Sequence, residues 1–199
     1  ALIAGVPARL LRVGFVGELR YEIHVPAGSG AAVWSAVLAA GDQFGIAPFG
    51  VEAQRMLRLE KGHIIIGQDT DGLTNPLEVG MHWAVRMDKP YFNGQRSLTI
   101  LGRQPLRQQL VGFALPGAER VPIRESHLAI RNGELAGRVT SVGYSPTLQQ
   151  TIGLALVAPQ VIEDGRLAIR VGAELFNAPI VPLPFYDAGG ARQNLVAPA

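Results

Sequence analysis

The stretch LAIRNGELAGRV, residues 128–139, decides the architecture of the second half of this chain. Asn132 and Gly133 both tolerate positive φ, as demanded by the tight two-residue turn whose twist matches a pair of antiparallel strands. With apolar residues recurring on either side, the stretch reads as a β-hairpin. Outward from it, QQLVGFAL (108–115), the rest of HLAIRNGELAGRVTSVGYS (127–145), TIGLALV (151–157), RLAIRV (166–171) and ELFNAPIVPLP (174–184) read as further short strands. Five or more such strands within about 90 residues, with no helical pattern between them, predict a small antiparallel β-barrel.

Before residue 98 the pattern differs. GFVGELRYEIHVP (14–26) reads as a strand, a Gly-Glu turn and a second strand. In strict alternation Leu19, Tyr21, Ile23 and Val25 share one face, and Arg20, Glu22 and His24 the other. That polar face reads equally as plain surface and as the floor of a pocket. In GSGAAVWSAVLAAGDQFG (28–45), Val33, Trp34, Val37, Leu38 and Phe44 recur at helical spacing, with Ser29 to cap the start and Gly45 the end. The expectation is an amphipathic helix packed on the sheet. VEAQRMLRLEKG (51–62) predicts a second helix on Ala53, Met56, Leu57 and Glu60, stopped at Gly62. Strands followed by helices give an α+β pattern, an antiparallel sheet with helices on one face. GHIIIGQDTDGLTNPLEVGMHW (62–83) reads as a buried run from Ile64 to Ile66 and then a long polar loop of the kind that often carries function. A domain boundary is placed near residue 98, and residues 188–199, rich in Gly, Ala and Pro, are expected to be a loose tail.

Composition narrows the chemistry. With 199 residues, 48% hydrophobic and 17% charged, the chain can bury a core as one large or two small domains. The net charge is +2 and the basic residues are scattered, so no nucleic-acid footprint is expected. The absence of cysteine removes disulfides, thiol nucleophiles, iron-sulfur clusters and thiolate zinc sites. The longest uncharged apolar stretch, Val33 to Ala40, is too short to span a bilayer, and no export signal is visible. No membrane association is expected, and the cytoplasm is the expected location. Gly28-x-Gly30 lacks the third small residue and the parallel βαβ setting of a dinucleotide turn. The DTDG of residues 69–72 lacks the later bidentate Glu of a calcium loop, so Asp69 and Asp71 are expected to order the loop through backbone N–H groups. The four histidines are dispersed, Ser141 and Ser145 lack a nucleophile's strand-turn-helix setting, and Arg58, Glu60 and Lys61 read as a surface ion-pair group.

Several stretches together resemble the aminomethyltransferase, or glycine-cleavage T-protein, family, and specifically its relative at the C-terminal end of the α subunit of heterotetrameric sarcosine oxidase. GFVGELRYEIHVP resembles the family's Gly-aromatic-x-Gly-Glu-x-x-aromatic-Glu-Ile hairpin. LRLEKGHIIIGQDTDGLTNPLEVGMHW (57–83) is similar to the sarcosine-oxidase version of the Leu-Arg-Leu-Glu segment and its Asp-containing loop. GRVTSVGYSPTLQQTIGLALV (137–157) and PLPFYD (182–187) extend the likeness, which covers residues 8–187. It implies an α+β protein: a partial ferredoxin-like folate-binding lobe over residues 1–97, then a T-protein C-terminal β-barrel over 98–187.

The resemblance also implies a site. In the family the second glutamate of the hairpin, here Glu22, accepts hydrogen bonds from the pterin ring of tetrahydrofolate. A two-oxygen acceptor suits the two adjacent donors of that ring's 2-amino-4-oxo edge. Phe15 stands at an aromatic position near the folate and Gln54 where T-proteins carry a folate-contacting Arg. Arg58 matches the motif's own Arg, and Tyr186 lies in a region that approaches the folate. No catalytic residue is expected in this chain, because the family's aspartate near folate N10 would precede Ala1. The resemblance therefore implies a fragment of a sarcosine oxidase α-like subunit, which captures the one-carbon unit from sarcosine demethylation as 5,10-methylenetetrahydrofolate. FAD, FMN and NAD would belong to the parent complex and not to this chain. The implied partners are the β, γ and δ subunits and the N-terminal part of α. The alternatives are a non-catalytic T-protein-like scaffold and an aminomethyltransferase of the glycine-cleavage type.

Overall fold

The computed structural model describes residues 1–117 and 121–194. The chain opens with three very short strands, β1 (Leu2–Ile3), β2 (Val6–Pro7) and β3 (Arg9–Leu11), and a fourth, β4 (Glu22–His24). Helices α1 (Gly30–Gly41) and α2 (Val51–Glu60) follow, then a long stretch of turns and the short helix α3 (Gln95–Leu101). The remainder comprises β5 (Gln109–Pro116), β6 (Leu128–Arg131), β7 (Glu134–Ser145), β8 (Gln150–Val157), the short helix α4 (Pro159–Glu163), β9 (Arg166–Val171) and β10 (Glu174–Val181).

The last six strands close into an antiparallel barrel in the order β10-β5-β8-β7-β6-β9. Its hairpin β6–β7 turns at Asn132 (φ 53°) and Gly133 (φ 86°), the double positive φ foreseen from the dipeptide. Val111, Phe113, Ala129, Val139, Ala155, Val157, Leu167, Ile169 and Ala178 fill the interior. Gly153 keeps that interior open: a Cβ there would stand 2.3 Å from Phe113 Cζ. β8 is buried on both faces, because Ile152 and Leu154 point outward against Leu59 of α2. A β-bulge between Val139 and Ser141 reverses the alternation of β7. Val139 therefore faces the core, while Ser141, Gly143 and Ser145 face α2 and the loop after it.

The first half differs from expectation in several respects. Its hairpin pairs Arg9, Leu10 and Leu11 with His24, Ile23 and Glu22, so the first strand lies upstream of residue 14 and residues 15–18 are bends. Gly17, at φ 79°, supplies the left-handed backbone that the bend needs. Three-residue strands make a marginal sheet. Tyr21, Ile23, Trp34, Phe44 and Phe49 stay exposed, and α1 buries only Val33 fully. Ser29 makes no capping hydrogen bond, whereas Gly45 ends the following 3-10 turn at φ 70°. The run at Ile64 to Ile66 is not a buried strand, since Ile66 is exposed. Helix α4, preceded by Ala158 and opened by Pro159, interrupts the strand-only reading of the second half. Residues 188–194 are docked and not loose, as described below; 195–199 lie outside the described residues.

Candidate functional site

The bend between β3 and β4 is the hub of the candidate site, because three cavities meet around it. Phe15 and Gly14 line one of about 580 Å³ with Lys61, His63, Met81 and Trp83. Arg20 and Gln54 line a second, of about 530 Å³, with Tyr21, Trp34 and Phe49. Gly14 and Arg20 reappear in a third, of about 470 Å³, with Arg12, Glu18 and Gly190.

Glu22 stands at the start of β4, half-buried, with Oε1 accepting from Arg20 Nη2 at 2.9 Å and Oε2 paired with His24 Nε2 at 3.2 Å. Each carboxylate oxygen has a second lone pair, so the group retains acceptor capacity. Phe15 stacks on His63, ring centroids 6.1 Å apart at 26°. The Phe15 carbonyl accepts a hydrogen bond from His63 Nδ1 at 2.7 Å. Gln54, on α2, opens on the cavity that also receives Arg20. Phe15, Glu22 and Gln54 are thus brought around one loop.

Arg58 and Tyr186 are placed differently. Arg58 is 2% exposed and reaches Asp69 Oδ2 at 2.7 Å, Ser141 Oγ at 2.8 Å and the His63 carbonyl at 3.0 Å. Glu60, also buried, accepts from Ser145 Oγ. The surface ion pair expected among Arg58, Glu60 and Lys61 does not form, because the bulge in β7 brings two serines to meet these side chains. Lys61 instead donates to the Asp187 carbonyl at 2.6 Å. Asp69 accepts from the Ile65 N–H at 2.8 Å, as foreseen, and additionally from Ser141 and Arg58. Asp71 accepts from the Leu73 and Thr74 N–H groups, each at 2.9 Å, and its carboxyl is held below the usual range by Thr74 Oγ1 and those amides.

Tyr186 donates its backbone N–H to the Glu60 carbonyl at 3.0 Å and lies under the Arg192 guanidinium, 5.9 Å away. Arg192 pairs with Glu18, Leu19 N–H donates to the Arg192 carbonyl, and Arg12 donates to the Gln193 carbonyl. Burial pushes the Asp187 carboxyl up, but the Arg192 and Ala191 N–H groups and Lys61 outweigh it and hold the carboxyl below its ordinary value. Among the described residues no group of three His, Asp or Glu could hold a metal ion, and no helix is long and apolar enough to cross a membrane.

Comparison with known proteins places this arrangement. Residues 1–89 match the family model of the GCVT N-terminal domain, and residues 108–187 match the glycine cleavage T-protein C-terminal barrel domain. The chain belongs to the T-protein family. Similar proteins include an aminomethyltransferase of Halothermothrix orenii, 37% identical over 92% of this chain and 51% of the relative. A sarcosine oxidase subunit alpha of Corynebacterium sp. strain P-1 is also 37% identical, over 97% of this chain and 21% of the relative. The crystal structure of the glycine cleavage system aminomethyltransferase T from Bartonella henselae superposes with a TM-score of 0.77 at 28% identity, covering 88% of this chain and 49% of that one. The chain thus spans about half the length of these aminomethyltransferases and about a fifth of the sarcosine oxidase subunit.

Sequence reasoning missed the partners that join this T-protein-like region together. The Arg58–Asp69–Ser141 contact spans 83 positions from Arg58 to Ser141 and depends on a bulge that no spacing announces. His63 stood out in the sequence only as one of four dispersed histidines. Its signal was a lone imidazole directly after a helix-ending glycine.

Proposed function

We propose that this chain is the folate-handling part of a sarcosine oxidase α-like subunit, in which Glu22 holds the pterin of tetrahydrofolate. The observation that carries the reading is Glu22 itself. It is a half-buried carboxylate with spare lone pairs, paired with Arg20, a wall residue of the cavity that holds Tyr21, Trp34 and Phe49. Phe15 and Gln54 would contact the same molecule, and Tyr186 and Arg58 would support the loop from behind. Tetrahydrofolate, as substrate, supplies a nucleophilic nitrogen that captures a one-carbon unit; this chain's residues orient it and exclude water.

The likeness of EKGHIIIGQDTDG (60–72) to the sarcosine-oxidase version of this segment supports the sarcosine branch, while relatives of both names align at 37% identity over more than nine-tenths of this chain. The parent would work in the cytoplasm with β, γ and δ subunits, and FAD, FMN and NAD would bind elsewhere in it. The exposed face of Tyr21, Ile23, Trp34 and Phe49 supports a covering segment from the N-terminal part of α. A T-protein-like scaffold for subunit assembly is the competing reading, and it requires no ligand at Glu22.

Calorimetric titration with 5-formyltetrahydrofolate separates them. The proposal expects binding that Glu22→Gln weakens by about 1.5–3 kcal/mol, the worth of a hydrogen bond to a charged group. Equal binding by both proteins removes the pterin from Glu22, and absence of binding favours the scaffold.

A further inference from the structure

Beyond Glu22, the cavity beside Phe15 contains an imidazole held unusually firmly for a residue outside regular structure. His63 follows Gly62, whose φ of 69° turns the chain out of α2. The His63 N–H donates to the Arg58 carbonyl at 2.9 Å, and the His63 carbonyl accepts from Arg58 Nη1 at 3.0 Å. Arg58 is itself fixed by Asp69 in the buried interior. The ring stacks on Phe15 and its Nδ1 lies 2.7 Å from the Phe15 carbonyl.

That last contact sets the tautomer. A carbonyl oxygen only accepts, so Nδ1 carries the proton, and in the neutral ring Nε2 is a bare acceptor. Nε2 has no protein partner among the described residues and is not sealed in the interior. It belongs to a ring lining a cavity of about 580 Å³ whose other walls include Leu77, Val79, Met81, Trp83 and Leu110. The neighbouring cation, Lys61, donates to the Asp187 carbonyl. A pinned acceptor in an apolar, aromatic-rimmed hollow is pre-organised for a planar ligand that brings its own donor.

We propose that His63 is a binding residue for the reduced folate, its Nε2 accepting a hydrogen bond from a folate N–H. This rests on the folate reading above and extends it to a further residue, on the wall of the cavity that Phe15 lines. Without a donor-bearing ligand, the same imidazole would serve only to tie the bend at Phe15 to the end of α2.

Two substitutions separate these roles. His63→Asn keeps an amide donor near the position of Nδ1 and removes Nε2. His63→Gln carries its amide to the position of Nε2 and gives up the bond to Phe15. Titrated with 5-formyltetrahydrofolate, His63→Asn is expected to bind about tenfold more weakly, the size of one hydrogen bond. His63→Gln is expected to remain within about threefold of the unsubstituted chain, less than half that energy. Histidine-selective ¹⁵N NMR of the unsubstituted chain supplies a readout that no substitution can unfold. The His63 ring should be protonated at Nδ1 before ligand is added, and its Nε2 resonance should move on titration.

Protonation at Nε2 in the free chain overturns the proposal whatever the folate result. Normal binding by His63→Asn, with Glu22→Gln still weakened, overturns the role of His63 and leaves the Glu22 reading intact. Equal weakening in the Asn and Gln variants assigns His63 to the structural tie and also overturns it. No binding by the unsubstituted chain overturns both readings.

Discussion

The contact between Arg58 and Asp69 predicts a large and specific loss of stability. Asp69 is fully buried, and its carboxylate takes Arg58 Nη1 at 2.7 Å, Ser141 Oγ at 2.6 Å and the Ile65 N–H at 2.8 Å. Asp69→Asn keeps the shape but leaves the Arg58 guanidinium, 2% exposed, without its counter-charge. Breaking a buried pair in this way costs about 3–5 kcal/mol. That is a large share of the roughly 5–15 kcal/mol available to an ordinary domain. Arg58→Met strands the opposite charge and should cost a similar amount. The Arg58→Met, Asp69→Asn double variant leaves neither charge stranded, so its loss should fall short of the summed singles by about 2 kcal/mol or more. Urea unfolding provides the assay, with far-UV circular dichroism following the barrel strands. Fluorescence of Trp34 and Trp83, both outside the barrel, follows the first half. A loss below about 1 kcal/mol for Asp69→Asn would refute the reasoning, since it would equate the pair with an exposed one.

Gly153→Ala should destabilise the barrel by about 1–3 kcal/mol in the same assay, because the new methyl would meet the Phe113 ring inside the barrel. The Asp187 carboxyl is held below its ordinary value of 3.8, so its hold on the Ala191 and Arg192 amides is complete above that value. The hold is lost as pH falls through the lower folded value; amide exchange at these positions should accelerate below about pH 3.8 and, for Asp187→Ala, at neutral pH. The exposed Trp34, Phe44 and Phe49 predict concentration-dependent self-association, and Trp34→Ser with Phe49→Ser should reduce it in analytical ultracentrifugation.

The barrel was legible because its information is local. Asn132-Gly133 fixes one hairpin, and alternating apolar residues fix the neighbouring strands. The run TIGLALV was legible as a strand, although its period is hidden by α2 lying on the outer face of β8. The first hairpin was misplaced, since GFVGELRYEI alternates well enough to suggest a strand where Gly17 actually bends the chain. Arg58 and Glu60 were read as surface because charge at the end of a helix is usually solvated. Their burial depends on Ser141 and Ser145, residues more than 80 positions away. Glu22 was visible only as one member of a polar strand face with Arg20 and His24, and without the family resemblance it carried no chemical meaning.

The docking of the far end of the chain upon its beginning has a consequence for synthesis on the ribosome. Leu19 N–H waits for the Arg192 carbonyl, Arg12 for the Gln193 carbonyl, Lys61 for Asp187 and the Glu60 carbonyl for the Tyr186 N–H. None of these partners exists until residues 186–193 have been translated. The β6–β7 and β7–β8 hairpins can pair as they emerge and the barrel closes when β10 returns to β5, but the loop around Phe15 and Glu22 receives its final brace only after residue 193 clears the exit tunnel. A nascent chain stalled before that point would present an assembled barrel beside an unfinished pocket.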